Sequence, residues 1–519
     1  MNRTELINNL KQTQRTVRDM IVIGGGATGL GIALDAVSRG YSVLLLEQAD
    51  FTSGTSSKST KLVHGGVRYL AKGDLFLVKE ALHERGLILK NAPHLTSDQE
   101  FIIPLYRWFD VLQYYIGLKF YDLLSGRLSL GKSYFINPSA TTERLPNLKS
   151  EGLKGGIVYH DGQFDDSRMA ISIAHEAVRK GATILNYFRV AGLVKDEKGK
   201  ISGVRASDVI SGEEYTLLAK VVINATGVFA DSVSKMDDPA HVASIRPSQG
   251  IHLVIDRSFL NSDSAIMIPK TEDGRVLFAI PWYNEVVVGT TDTPLNEISM
   301  EPKALDQEIE FILRTASLYL QKPPSRSDVL SIFAGLRPLA SNPSNPEATK
   351  EVSRRHKITL TKSGLLSVIG GKWTTYRRMA EETIDRAIKE GYLEKRKCVS
   401  SHLKLADFSS VSTAGRLKIY GDRYPEIEKL VSEDPASGNL LHKDLPYTRA
   451  EITWICKNEM AVNIDDVLAR RTRSILLNAR ASAEIAPVVA RIMADNSGFG
   501  GDWQKSQVES YNELINKYL

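Results

Sequence analysis

Short apolar runs punctuated by glycine fill the first three quarters of the chain, and helical spacing dominates the last quarter. Met20 to Ile23 is an apolar run that enters Gly24-Gly25-Gly26-Ala27-Thr28-Gly29. A helical stretch follows to about Arg39, Gly40 stops it, and Tyr41 to Leu46 forms a second apolar strand closed by Glu47. Strand, glycine turn, helix and strand make a β-α-β unit. Within it Gly24 permits the tight turn, Gly26 lets a pyrophosphate approach the helix N-terminus, and Gly29 lets helix pack on strand. Glu47 lies about 20 residues past the glycines, where an acid accepts hydrogen bonds from ribose hydroxyls. The whole unit, rather than the glycines alone, predicts dinucleotide binding.

The pattern then changes. Asp166 is placed to cap a helix running to about Lys180, which Gly181 ends. The runs TILNYFRV, ISGVRASDVI and EYTLLAKVVINATG read as strands, the last closing on Asn224-Ala225-Thr226-Gly227. RPSQGIHLVID through RVLFAIPWYNEVVVGTTD reads as further strands, with Asp273-Gly274 marking a hairpin. GLLSVIGGKWTTYRRMAEETIDRAI repeats the strand, Gly-Gly, helix order. The expected architecture is α/β: a Rossmann-like nucleotide-binding domain with an inserted, mostly antiparallel sheet, then an α-helical C-terminal domain. The Rossmann-like parts fall at about 18–100, 155–245 and 330–395 and the inserted sheet at about 246–330, together residues 1–395; the helical domain is 396–519. ARRTRSILLNARASAEIAPVVARIMADN in that last part has helix spacing and no obvious chemistry.

Composition narrows the classes. The 519 residues are 42% hydrophobic, ordinary for a globular protein, and no run of eighteen apolar residues implies a membrane span. The first twenty residues lack the apolar core of a secretory signal and read as a short N-terminal helix rather than a transit peptide, whose basic character Glu5 and Asp19 interrupt. Two cysteines far apart, Cys398 and Cys456, argue against a disulfide framework, a zinc ribbon or an iron–sulfur site, and point to a reducing compartment. No HExxH or Cys/His spacing supports a metal. A net charge of +5 is too slight to argue for nucleic acid but suits anionic ligands or an anionic membrane surface.

Read alone, the Ser/Thr-rich run Thr55 to Lys61 is a flexible loop, and His252, between Ile251 and Leu253, is equally a histidine satisfied on a strand. The motifs taken together alter that reading. IVIGGGATGLGIALDA, GTSSKSTKLVHGGVRYL, DGQFDDSR, VVINATGVFAD, IPWYNEVVVGTTD, AGLRPL and LLSVIGGKWTTYRRMAE occur in this order along nearly the whole chain, with LARRTRS near residue 468. The sequence thereby resembles the FAD-dependent glycerol-3-phosphate dehydrogenases of the D-amino-acid-oxidase-like flavoproteins. KLVHGGVRYL, GTTD and GGKWTTYR are the specific part of the resemblance.

The resemblance implies FAD as cofactor, sn-glycerol 3-phosphate as substrate, dihydroxyacetone phosphate as product and a membrane quinone as electron acceptor. It makes Gly24, Gly26, Gly29, Glu47, Thr55, Ser56, Thr60, Lys61, Gly227, Gly370, Gly371, Lys372 and Thr374 the cofactor contacts. Backbone N–H groups at Gly370 and Gly371, with Lys372, would stabilise negative charge on the reduced ring. Arg68, Tyr69 and Thr290 become the phosphate contacts, since a guanidinium fork suits a phosphate dianion. Arg337, His252 and Lys372 become the groups at the reacting carbon, with His252 or another group as base. His64 either fixes the loop or touches the flavin.

Residues 106–135, YRWFDVLQYYIGLKFYDLLSGRLSLGKSYF, mix aromatics, Leu/Ile and scattered Lys/Arg. They read equally as a headgroup-lying segment or as a core helix pair with a basic edge. The quinone implied by the resemblance adds weight to a peripheral site on the cytoplasmic face of the inner membrane. The oligomeric state stays open, a homodimer included. Two other functions share the same motifs: an oxidase that gives electrons to O2 and makes H2O2, and a non-catalytic FAD-binding scaffold or sensor.

Overall fold

A computed structural model describes residues 1–70, 73–272, 274–340, 356–406 and 415–519, with the side chains of Arg68 and Tyr69 also outside the description. The first unit is strand Arg18–Ile23, helix Ala27–Ser38 and strand Val43–Leu46. Ile21, Val22, Leu44 and Leu45 are wholly buried, as befits parallel strands covered on both faces. The parallel order runs Leu365–Ile369, Glu214–Asn224, Arg18–Ile23, Val43–Leu46, Thr183–Leu185, with Lys357–Leu360 antiparallel at one edge. Phe188–Lys195 and Ile201–Asp208 extend the near half of Glu214–Asn224 as an antiparallel meander. TILNYFRV is thus split into two strands, with Tyr187 in the left-handed region between them.

Helix Ala27–Ser38 is buried along nearly its whole length, against Asp166–Arg179 and Tyr376–Lys389. The N-cap of Asp166–Arg179 is Asp165, whose carboxylate accepts from the Arg168 N–H. Asp166, expected as the cap, is instead the first helical residue and is free to bond elsewhere.

A second, ten-stranded sheet is mostly antiparallel. It contains Ile245–Asp256, Leu277–Trp282, Glu285–Gly289 and Val329–Ala340, and also draws in Thr96–Leu105 and Gly155–Phe164. Ala265–Ile268 and Leu277–Trp282 pair as expected around the 273–274 turn, although Asp273 lies outside the described residues. Helix Asp306–Tyr319 packs beside Ile245–Asp256.

The last part of the chain is helical: Tyr424–Glu433, Arg449–Asn458, Ala479–Ser497 and Gly501–Ile515. Thr448 and Glu451 form a capping box that fixes the start of the second. Hydrogen bonds seat this part on the second sheet: the Ile332 N–H to the Tyr518 carbonyl at 2.8 Å, the Ser331 hydroxyl to the Leu476 carbonyl, and the Arg480 guanidinium to the Val329 carbonyl at 3.2 Å. A buried ionic seam seats it on the nucleotide fold. Asp50 accepts from Arg470 and from both ends of the Arg471 guanidinium at 2.6–2.8 Å. Arg168 and Glu459 meet two-pronged at 2.7 and 2.8 Å. Burial works against the Asp50 carboxylate, but Arg471 and Arg470 outweigh it and hold its pKa at about 2.

Candidate active site

One cavity of about 580 Å³ is lined by both glycine junctions, by the Thr55–Thr60 loop and by the paired strands of the second sheet. Its first wall is the turn into helix Ala27–Ser38. The turn is held by close backbone approach. A Cβ at Gly29 would lie 1.9 Å from the Gly24 carbonyl oxygen, and one at Gly24, where φ is +110°, would lie 2.7 Å from that of Ala225. Gly26, Ala27 and Thr28 therefore present a helix N-terminus to the cavity, a favourable place for a phosphate. Glu47 is half-buried at the cavity wall. Its two oxygens accept from the N–H groups of Gly25 at 2.7 Å and Ala49 at 2.9 Å, so it ties the turn together.

The loop wall is cross-tied to the second junction. Ser56 accepts from the Ala27 N–H through its hydroxyl at 3.0 Å and from the Trp373 indole through its carbonyl at 2.8 Å. Thr374 accepts from the His64 N–H at 3.2 Å. Gly370 and Gly371, at φ +77° and +86°, let the chain turn from strand Leu365–Ile369 toward helix Tyr376–Lys389. Both line the cavity, with Lys372, Thr374, Gly227, Thr55 and His64. Thr55 also donates to the Leu336 carbonyl at 2.6 Å.

The far wall follows from strand register. On Ile245–Asp256 and Val329–Ala340, Ser248 faces Arg337, Gly250 faces Gly335 and His252 faces Phe333. Period-two alternation puts all six on one face. Gly250 makes room for the guanidinium, since a Cβ there would lie 2.1 Å from an Arg337 nitrogen. Gly289, opposite His252 on the next strand, makes room for the imidazole in the same way, at 2.4 Å. Among the described residues Arg337 is held by four bonds: to the Gln249 and Thr291 carbonyls at 3.2 and 2.9 Å, the Thr290 hydroxyl at 3.0 Å and Asp292 at 3.3 Å. Thr290 thus meets the cavity through Arg337. His252 stacks on Phe333 at 4.8 Å, and its Nε2 lies 2.9 Å from the Thr60 hydroxyl. Burial, with Lys61 and Arg337 adding, pulls its pKa well below 6.5, so the imidazole is neutral.

Lys61, expected at the cofactor, does not reach the cavity. Its ammonium is fully buried 2.7 Å from Asp166. Lys61 has φ +62°, and the loop turns its side chain inward, away from the hydroxyls of Thr55, Ser56 and Thr60. Arg68 and Tyr69 follow the loop in the helical turn Val67–Leu70; their side chains lie outside the described residues. Sequence reasoning passed over Lys58, which lines the cavity and pairs with Glu301 at 2.6 Å, and Gln48 and Arg189 beside Glu47. The glycines two residues before His252 and Arg337 were the available signal for the crowded far wall.

These features fit a dinucleotide carrying a flat ring system. A helix N-terminus and close backbone would receive the phosphates, and Gly227, where an added Cβ would meet no atom within 4 Å, would leave room beside them. Among the described residues no group of His, Cys, Asp and Glu could hold a metal ion.

Comparison with known proteins agrees with this geometry. Residues 19–377 match the FAD dependent oxidoreductase family, and residues 365–507 match the C-terminal domain of alpha-glycerophosphate oxidase. The chain is 40% identical to the mitochondrial glycerol-3-phosphate dehydrogenase of Bos taurus, covering 100% of this chain and 75% of that protein. It is 39% identical to the human one, over 96% and 73%. A solved glycerol-3-phosphate dehydrogenase of Bacillus halodurans complexed with FAD is similar over 100% of this chain and 98% of that one, with a TM-score of 0.81 and 28% identity. A chain so matched along its whole length belongs to the FAD-dependent glycerol-3-phosphate dehydrogenases.

Proposed function

We propose that this protein oxidises sn-glycerol 3-phosphate to dihydroxyacetone phosphate and delivers the electrons to a membrane quinone. The carrying observation is that a neutral His252 and a rigidly held Arg337 sit on paired strands facing one cavity built for a dinucleotide. FAD, when bound, supplies the two-electron acceptor for the hydride leaving C2. The remaining tasks fall to the chain. Oxidation at C2 also releases the hydroxyl proton, and the neutral imidazole of His252, oriented by Thr60, accepts it. Burial keeps His252 uncharged, with Lys61 and Arg337 adding to it, and a phosphate dianion entering the cavity opposes that smaller cationic part. Arg337 stabilises negative charge forming on O2 with donors already in place. Arg68 and Tyr69 hold the phosphate, with Thr290 acting through Arg337, and Gly370, Gly371 and Lys372 present positive potential to the cofactor ring. Residues 1–395 form the oxidoreductase region and 396–519 the helical domain in this reading.

Anaerobic addition of glycerol 3-phosphate to the purified flavoprotein should bleach the flavin absorbance, and no bleaching would overturn the reading. Reoxidation by a short-chain quinone but only slowly by air separates it from the oxidase.

Among the described residues no helix is long and apolar enough to cross a membrane. Helix Trp108–Ser125 nevertheless packs Val111, Leu118 and Tyr121 inward and leaves Trp108, Phe109, Leu112, Ile116 and Leu123 each about 60% exposed or more. With Lys119, Arg127 and Lys132 nearby, this face suits the headgroup region of an anionic leaflet, peripherally and on the cytoplasmic side. Replacing Leu112 and Ile116 together by Lys should abolish co-sedimentation with anionic vesicles while flavin reduction by substrate continues. Unchanged sedimentation would remove the helix from the membrane site.

A further inference from the structure

Four charged groups are buried where the C-terminal domain meets the cavity loop: Lys61, Asp165, Asp166 and Arg473. Arg473, in the left-handed region at φ +61°, reaches out of the helical domain. It donates to the Ser57 carbonyl at 2.6 Å and to Asp166 at 2.9 Å. The other oxygen of Asp166 accepts from the Ser59 N–H at 3.0 Å, the Ser59 hydroxyl at 2.7 Å and the Lys61 ammonium at 2.7 Å. Lys61 returns to the Ser57 carbonyl at 2.8 Å. Asp165 stands 3.7 Å from Arg473 and accepts from the Tyr283 hydroxyl.

This cluster holds three residues of one loop, Ser57, Ser59 and Lys61, and leaves Thr60 to face the cavity and His252. Phe333 joins the two sides a second way, with the Lys61 ammonium 4.9 Å from its ring centre and His252 stacked on it. Buried ion pairs are poor sources of stability, because desolvation cancels most of the attraction and apolar replacements often do as well. A four-charge cluster whose bonds converge on one loop is better accounted for by the geometry it imposes.

We infer that Arg473 is a positioning residue: from the C-terminal domain, through Asp166 and Lys61, it fixes the Ser57–Lys61 loop so that Thr60 holds the His252 imidazole for reaction. The inference rests on the role given to His252 above. It makes the helical domain a working part of the active site.

The test is a double-mutant cycle on the holoenzyme. Arg473→Met, Thr60→Val and the double variant are compared by anaerobic stopped-flow reduction with glycerol 3-phosphate. Arg473→Met should keep its FAD and its apparent substrate affinity but slow reduction at saturation between about 10- and 100-fold, the effect of a small misplacement. The double variant should be no slower than Thr60→Val alone, because the first acts through the second. Amide hydrogen exchange over residues 57–61 should rise in Arg473→Met, a readout independent of turnover. Unchanged reduction, or effects that multiply, would overturn the inference. Should Arg473→Met fail to retain FAD, the same cycle with Lys61→Met and Arg473→Lys decides it by the same criterion. If substrate does not bleach the wild type, it is the functional reading that has failed; bleaching of wild type with indistinguishable variants refutes the inference alone.

Discussion

Arg337→Met is the sharpest perturbation of the proposed chemistry. The side chain fits in place of the stem, so the change removes a cation and its donors rather than the packing. Four acceptors lose a partner: two carbonyls, the Thr290 hydroxyl and Asp292. Asp292 keeps the Ser248 hydroxyl as a donor, and the guanidinium is partly exposed to the cavity, so water reaches the orphaned groups and fold stability falls little. The loss falls instead on the transition state. Removing one preorganised donor from a developing oxyanion costs about 10²–10³ in rate, or roughly 3–4 kcal/mol. Arg337→Lys retains a point charge without the four-bond fork, so its loss should be smaller, on the order of tenfold. The assay is the rate of anaerobic flavin bleaching at saturating glycerol 3-phosphate, with FAD stoichiometry measured in parallel. A fall of less than about tenfold in Arg337→Met, or loss of FAD instead of rate, would refute the assignment.

Two further outcomes follow from the geometry. Gly29→Ala forces a Cβ to within 1.9 Å of the Gly24 oxygen, so helix Ala27–Ser38 must retreat from its strand at a cost of about 1–3 kcal/mol or more; the purified variant should carry markedly less FAD per chain and melt at lower temperature, and a wild-type flavin ratio would contradict the predicted cradle. His252 is buried neutral with its pKa well below 6.5, so below pH 6.5 the unfolded chain takes up a proton that the native one refuses. Stability from this group is present above pH 6.5 and is lost as pH falls. Relative to His252→Gln, the wild type should lose up to about 1.4 kcal/mol per pH unit in denaturant titrations between pH 6.5 and 5.5, and a pH-independent difference would show that the imidazole titrates normally in the native state.

What the sequence by itself determined is what local backbone geometry and period enforce. Gly24, Gly26 and Gly29 between two apolar runs can form one kind of turn, and Gly370-Gly371 before a helix another, so both cofactor junctions were legible. The apolar run in RPSQGIHLVID placed His252 on a strand. Tertiary structure decided the rest, because each remaining question concerned a partner far along the chain. Lys61 reads as a cofactor contact in sequence, but Asp166, 105 residues away, turns it inward. Thr290 gained its link to the site only when strand pairing set it against Arg337, 47 residues on. Helix Trp108–Ser125 carried apolar residues on both sides, and only its packing showed which side is covered. The arginines of LARRTRS spelled no chemistry in sequence, since a charge acquires its role from the buried partners it meets, and those partners are assembled by folding.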